Sequence, residues 1–177
     1  MARVAKKPVI IDDFRRSDFI SALGTRWRGV SDRVMGGISQ QTLRYDAIEG
    51  RACLRLTGDV RLENNGGFVQ MSLDLSDAQD VLDASAFTGL TLTVYGNDES
   101  YSAHLRTTDA VRPWQSYRAH FPAAPCWQTL QLPFADFRPH RLDAPLDLRR
   151  LRRLGLVAIG RAFEADLAVA DIRLYRA

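Results

Sequence analysis

The sequence predicts an all-β protein, a single-domain antiparallel β-sandwich with at most one or two short helices. Three observations favour this fold class. Short segments alternate apolar and polar residues with a period of two, Gly, Asn, Asp and Pro separate these segments, and no stretch of about 12 residues carries a convincing amphipathic helical pattern. A parallel α/β fold needs such helices between its strands, so the sequence argues against that class.

The strand predictions follow this alternation along the chain. In segment 51–57, Leu54 and Leu56 fall on one face and Arg55 falls on the other. The same pattern predicts six further strands, at 90–95, 101–107, 116–121, 127–132, 154–159 and 167–174. Repeated short strands with turn residues between them are typical of a sandwich or a barrel.

Two short helical pieces are predicted beside the strands. Ser76 and Gln79 match a capping box, which favours one helical turn before the next strand. Segment 14–23 places apolar residues in rough helical register, with Ser17 as its cap. We expect residues 9–177 to form the domain and residues 1–8 to form a flexible N-terminal tail.

Composition and charge exclude several classes of protein. The 177 residues include 24 basic and 21 acidic side chains, a net charge of +3, which is too small for the concentrated basic face that nucleic acid binding requires. No segment approaches the roughly 20 apolar residues that cross a bilayer, and no apolar run of signal-peptide length precedes Asp12. We therefore expect a cytoplasmic protein with no transmembrane segment and no nucleic-acid partner. Cys53 and Cys126 adjoin apolar runs, which favours two small core residues with free thiols over a disulfide.

The sequence contains no recognisable catalytic constellation. The three histidines lie on two predicted strands and a loop, and none has a second ligand at zinc-site spacing. There is no Gly-x-Ser-x-Gly elbow and no glycine-rich phosphate loop. We therefore predict no enzyme activity, no cofactor and no metal site. A structural calcium near Asp12, Asp13 and Asp171 stays open at this point.

The polar faces of two predicted strands, 101–107 and 116–121, supply half of the candidate binding residues. These faces lie side by side if the two strands pair, and aromatic and Arg side chains on an exposed face are the types that anchor interfaces. The connection between the strands adds a tryptophan, and we expect the loop after Trp27 to border the same surface. The candidate partner- or ligand-binding residues are Asp32, Arg33, Met35, His104, Arg106, Trp114, Arg118 and His120. His104 and His120 are expected to form a hydrogen-bonded surface pair, with a metal site as the alternative.

Two tryptophans and two glycine-containing segments allow further predictions. Trp27 and Trp127 are expected in the core because large aromatic side chains are mostly buried. The paired glycines of segment 31–39 permit either a positive φ or a close backbone approach. Segment 64–68, Asn-Asn-Gly-Gly-Phe, is typical of a hairpin turn entering a strand.

In this order, these segments resemble the complex I intermediate-associated protein 30 family, whose fold is a galactose-binding-like β-sandwich (jelly roll). The residues that carry the resemblance are Trp27, SDRVMGGIS at 31–39, NNGGF at 64–68, FTGL at 87–90, the turn at 96–101, SYRAHF at 116–121, Trp127, LPFADF at 132–137, Arg141 and LGL at 154–156. They run in family order over residues 9–177, and the Arg- and Ala-rich composition resembles a compact bacterial member.

The resemblance implies a non-enzymatic assembly factor or chaperone-like module that binds a protein client. The mitochondrial members help to build respiratory complex I (NADH:ubiquinone oxidoreductase), so respiratory-complex subunits are the first candidate clients. The alternative is a β-sandwich module that binds a carbohydrate or another small ligand, because the fold also hosts many carbohydrate-binding modules. Trp114 beside hydrogen-bonding side chains would suit that alternative.

Overall fold

The computed structural model describes residues 9–77 and 79–177, which form twelve β-strands. They are β1 (Val9–Asp12), β2 (Trp27–Ser31), β3 (Gln40–Ile48), β4 (Arg51–Val60), β5 (Phe68–Asp74), β6 (Gly89–Tyr95), β7 (Glu99–Thr107), β8 (Ser116–Ala123), β9 (Gln128–Pro133), β10 (Arg138–His140), β11 (Leu151–Ile159) and β12 (Phe163–Tyr175). The helical structure of these residues is limited to short 3-10 turns, at Asp32–Met35, Glu63–Asn65, Phe134–Asp136 and Leu148–Arg150.

The strands form two antiparallel six-stranded sheets, which confirms the predicted all-β sandwich. The first sheet has the order β3-β4-β12-β6-β9, and β1 also pairs with β12. The second sheet has the order β10-β8-β7-β11-β5-β2. The long strand β12 holds the first sheet together, because β4 pairs with its beginning and β1 with its end.

The core lies between the two sheets and follows from the alternation in the sequence. Leu54 of β4, Val169 of β12 and Val94 of β6 are neighbours in register and are all buried. From the second sheet, Leu105 and Leu154 are paired and likewise fully buried. Packing one apolar face of each sheet against the other removes these side chains from water and leaves the opposite face of each sheet outside.

A second, smaller apolar cluster covers the side of the first sheet that points away from the main core. Cys53, Ala168 and Ala170 are buried there, against the half-buried rings of Tyr95 and Trp127. The prediction that Trp127 lies in the main core is therefore wrong, whereas Trp27 is buried between the sheets. Cys126 was also predicted to be buried, but it is exposed in the turn before β9, and both thiols are free.

The helix predicted at 14–23 is wrong. Phe14 and Phe19 both adopt positive φ, which an α-helix does not tolerate. Short polar side chains bind the backbone instead: Asp12 accepts from the Phe14 amide and Asp18 from the Ile20 amide. These local turns compete with helix formation. The helical turn predicted at 76–79 includes residue 78, which lies outside the described residues.

Candidate binding surfaces

The outward-facing side of the second sheet carries four of the eight predicted binding residues, and we call its outward side chains the outer face. Strands β7 and β8 pair, with Ser102 opposite His120 and His104 opposite Arg118. The prediction that the polar faces of these two strands lie side by side is therefore confirmed. The same alternation buries Tyr101 and Tyr117 between the sheets.

Other strands contribute residues to the outer face that the sequence analysis missed. The row through His104 continues to Gly155, Ser72 and Arg28 on one side and to Arg138 on the other. The neighbouring row contains Asp74, Arg153, Arg106 and His140, so all three histidines share this face. Only the order of strands in the sheet identifies these neighbours, because strands β2 and β10 are more than a hundred residues apart in sequence.

Three polar atoms of β7 are buried and have no hydrogen-bond partner among the described residues. They are Ser102 Oγ, His104 Nε2 and Arg106 Nε. Burial, assisted by the neighbouring charge of Arg118, lowers the pKa of His104 to about 3, so its imidazole is neutral near pH 7. Buried polar groups in native proteins are normally satisfied by protein, water or ligand atoms, so these three atoms on one strand face are candidates for binding a water molecule or a ligand atom.

The loop between β7 and β8 borders one end of the outer face. Arg106 Nη2 donates to the carbonyls of Ala110 (2.8 Å) and Arg112 (3.1 Å), which fixes this loop over the strand end. The Trp114 side chain in the same loop is 55% exposed. Beside Arg106 and Arg153 a pocket of about 230 Å³ opens toward the β5–β6 connection.

The loop after β2 lies elsewhere, which corrects one expectation. The register carries Val30, the last residue but one of β2, across the sheet to Ser102 and His120. Arg106 and the loop that contains Trp114 lie at the opposite ends of these strands. Asp32, Arg33 and Met35 therefore follow β2 at the far edge and the far end of the sheet, and they do not border the same surface as Trp114.

Asp32 organises this second region from a buried position. Its carboxylate accepts hydrogen bonds from Ser39 N (3.0 Å), Ser39 Oγ, Gly67 N and Phe68 N (3.3 Å). Burial alone would raise the pKa of Asp32, but these hydrogen bonds outweigh burial and hold the pKa below its ordinary value. Asp32 is completely buried, so it joins the two loops and does not itself face a partner.

The glycines of both loops make this arrangement possible. Gly36 ends the 3-10 turn with φ 86°, whereas a Cβ on Gly37 would lie 2.4 Å from the Asp32 carboxylate. A Cβ on Gly66 would lie 2.5 Å from the same group. The predicted hairpin at 64–68 is wrong, because β4 and β5 belong to different sheets and the segment crosses between them. The glycines of segment 64–68 let the backbone pack closely against Asp32.

We call segments 31–39 and 61–68 together the loop platform. Asn64 Nδ2 donates to the Gly36 carbonyl (3.2 Å) and ties the two segments a second time. The platform presents four large apolar side chains to solvent, namely Val34 (74% exposed), Met35 (57%), Leu62 (49%) and Ile38 (40%). Large apolar side chains exposed on two linked segments are typical of interaction sites on soluble proteins.

The metal sites that the sequence left open receive no support from the described residues. Within 9–77 and 79–177, no group of three or more His, Cys, Asp or Glu side chains could hold a metal ion. Near the proposed calcium position, Asp12 accepts from Trp27 Nε1 at 2.8 Å and Asp171 pairs with Arg173 at 2.9 Å. None of the helices described is long and apolar enough to cross a membrane.

Comparison with known sequences yields one family match. Residues 13–169 match the family described as Complex I intermediate-associated protein 30 (CIA30). No curated protein sequence matches the chain.

Comparison with solved structures identifies carbohydrate-binding modules. The chain is similar to the family 11 module of the cellulosomal cellulase Lic26A-Cel5E of Clostridium thermocellum, with a TM-score of 0.72 and 15% identity over 97% of this chain and 95% of that one. A family 11 module from Clostridium thermocellum in complex with a beta-1,3-1,4-mixed-linked tetrasaccharide gives 0.71 and 16% over 96% of each chain. A family 30 module gives 0.63 and 16% over 97% and 85%. At these identities the likeness establishes the galactose-binding-like jelly-roll fold alone.

Proposed function

Because this chain belongs to the complex I intermediate-associated protein 30 family, we propose that it is a non-catalytic, protein-binding assembly factor of the cytoplasm. Its clients would be respiratory-complex subunits before they are fully assembled. Partly assembled subunits expose apolar surface that is later buried, and a module that covers such surface needs an exposed apolar patch of its own.

The exposed apolar side chains of the loop platform carry this proposal. Val34 and Met35 stand on a loop that a buried carboxylate network holds in place, so little conformational entropy is lost when a partner binds. The two segments that form the platform are also the ones on which the family resemblance depends most. A surface that is both apolar and held in place by a buried carboxylate is suited to protein recognition.

The experiment is affinity capture with matched variants. The tagged chain is expressed in a respiring host, and respiratory-complex subunits in the captured fraction are quantified by mass spectrometry. Val34→Asp and Met35→Glu place a charge in the patch and are expected to reduce recovery about tenfold. Val111→Asp is the control, because Val111 is 75% exposed on the opposite end of the fold. Equal recovery with all three variants would refute the proposal.

The outer face favours a second candidate function, carbohydrate binding. The observation behind it is the set of three unpartnered buried polar atoms on β7, one of them in Arg106, which binds the loop that carries the exposed Trp114. Sugars stack on flat aromatic rings while polar side chains bind their hydroxyl groups. The structurally similar modules include one solved with a bound tetrasaccharide, which supports this candidate at the level of the fold.

A glycan array and calorimetric titration test the second candidate. Trp114→Ala is expected to abolish binding of any saccharide that the wild-type protein binds. Val111→Ala, in the same loop, is the control for a general change in loop structure. A wild-type protein that binds no glycan on the array excludes this candidate and leaves the assembly-factor proposal intact.

A further inference from the structure

The charges of the outer face are unevenly balanced. Asp74 lies near one edge and forms ion pairs with Arg28 at 3.3 Å and Arg153 at 2.9 Å. Three strands away, Arg118 on β8 lies in register between His104 on β7 and Arg138 on β10. The face therefore has one edge where charges are paired and a second region where positive side chains meet.

Within the part of the chain that the structure describes, the positive region lacks a counterion. No carboxylate of residues 9–77 and 79–177 forms an ion pair with Arg118, Arg138 or Arg141. The Arg118 Nε donates to the uncharged Ser116 Oγ at 2.9 Å. Burial and the nearby charge of Arg141 lower the pKa of Arg118, as expected for a half-buried cation with no opposite charge beside it. Partial burial of a guanidinium group without an opposite charge costs free energy. An anionic group of a ligand that pairs with Arg118 would offset that cost.

The surrounding histidines add hydrogen-bonding groups without adding charge. Burial and the neighbouring arginines lower the pKa of both His104 and His140, so both rings are neutral near pH 7. His104 Nε2 is buried without a partner, as is Ser102 Oγ on the same strand. An oxygen atom of a ligand that reached Arg118 would find these polar atoms unused.

The loop that carries Trp114 is joined to the segment that carries Arg141. Gln115 Nε2 donates to the Arg141 carbonyl at 3.0 Å, which joins the β7–β8 loop to the segment after β10. The exposed Trp114 immediately precedes Gln115 in this loop. A flat aromatic ring beside a cluster of guanidinium groups suits a sugar ring that carries a negative charge.

We propose that Arg118, Arg141 and His104 bind the anionic group of an acidic saccharide, a uronate carboxylate or a sulfate ester. Arg118 supplies the charge-assisted hydrogen bonds, Arg141 supplies long-range attraction and His104 binds a further oxygen. This inference rests on the second candidate function, carbohydrate binding, and narrows it to negatively charged ligands. It is independent of the loop platform, which lies at the other end of the sheet.

The test is calorimetric titration with four probes at low and physiological salt. The probes are tetragalacturonate, a heparin-derived tetrasaccharide, neutral cellotetraose and sodium sulfate. We expect an acidic tetrasaccharide to bind at least tenfold more tightly than cellotetraose, with affinity that falls as salt rises. Arg118→Gln is expected to weaken that binding tenfold or more. Arg44→Gln, on β3 of the other sheet, is the control and should bind like the wild type.

The outcomes distinguish acidic-saccharide binding from carbohydrate binding in general. Arg141 is exposed, so Arg141→Gln provides a second variant if Arg118→Gln lowers the melting temperature. Tighter binding of cellotetraose than of the acidic probes overturns the inference and leaves carbohydrate binding standing. Binding of sulfate alone overturns the saccharide assignment. No binding to any of the four probes overturns the inference, and if the wider glycan array is also negative, the second candidate function falls with it.

Discussion

The loop platform makes a quantitative prediction for Asp32→Asn. One carboxylate oxygen accepts from Ser39 N, and the other accepts from Ser39 Oγ, Gly67 N and Phe68 N. An amide of the same shape has one acceptor oxygen, so at least one buried N–H loses its partner, and the remaining hydrogen bonds lose their charge assistance. An unsatisfied buried donor costs about 1–3 kcal/mol, so a total near 3 kcal/mol is expected. That is a large part of the ~5–15 kcal/mol that holds a typical domain folded.

The assay is urea denaturation at pH 7, with amide hydrogen exchange at Gly67 and Phe68 as a local probe. Asp59→Asn is the control, because the Asp59 side chain is 52% exposed and its loss should change stability by less than about 0.5 kcal/mol. The folded-state pKa of Asp32 is lowered, so its contribution is present above the unfolded pKa of about 4 and is lost as pH falls through the folded value. The gap between wild type and variant should narrow in acid. An Asp32→Asn protein within 1 kcal/mol of wild type would refute this account of the platform.

Three further predictions concern single positions. Gly37→Ala should lower the melting temperature, because its Cβ would lie 2.4 Å from the Asp32 carboxylate; Gly24→Ala, where the added Cβ meets no atom within 4 Å, isolates the cost of backbone strain at positive φ. The pKa of His104, which faces Arg118, His120 and His140, is lowered to about 3, so its stabilising effect is present above its unfolded pKa and is lost as pH falls below about 6.5. Urea titrations should show about 1 kcal/mol lost between pH 7 and 5.5, and an unchanged slope in His104→Phe would contradict this. Trp27→Phe removes the 2.8 Å hydrogen bond to buried Asp12 and should cost about 1–3 kcal/mol in thermal unfolding, whereas a neutral effect would mean that water replaces the donor.

Much of the fold followed from local patterns. Alternation in segment 51–57 put Leu54 and Leu56 on one face of a strand, and the structure buries both. Alternation in segment 101–107 put His104 and Arg106 on a polar face, and the structure places both on the outer face of the second sheet. Period-two patterning reports which face of a strand is apolar, and burial of that face is the main force that forms the sandwich.

Local patterns failed where short side chains competed for the backbone. Segment 14–23 has helical spacing, but the Asp12 and Asp18 carboxylates accept from nearby amides and turn the chain at Phe14 and Phe19. Cys126 and Trp127 were also misplaced. The spacing of apolar residues predicts which of them share a face. It does not show whether that face packs between the sheets or against a smaller cluster on the other side of a sheet.

Some features of the candidate sites could be predicted from local sequence, and others depend on the tertiary structure. From the sequence alone, the paired glycines of segment 31–39 and the polar faces of two strands stood out, because glycine and alternation are local signals. That Asp32 is buried and bonds to a loop 35 residues further along the chain depends on a crossover between sheets, which no local signal contains. That Arg118 meets Arg138 and three histidines share one face depends on strand order, which is set by how all twelve strands bury their apolar sides together.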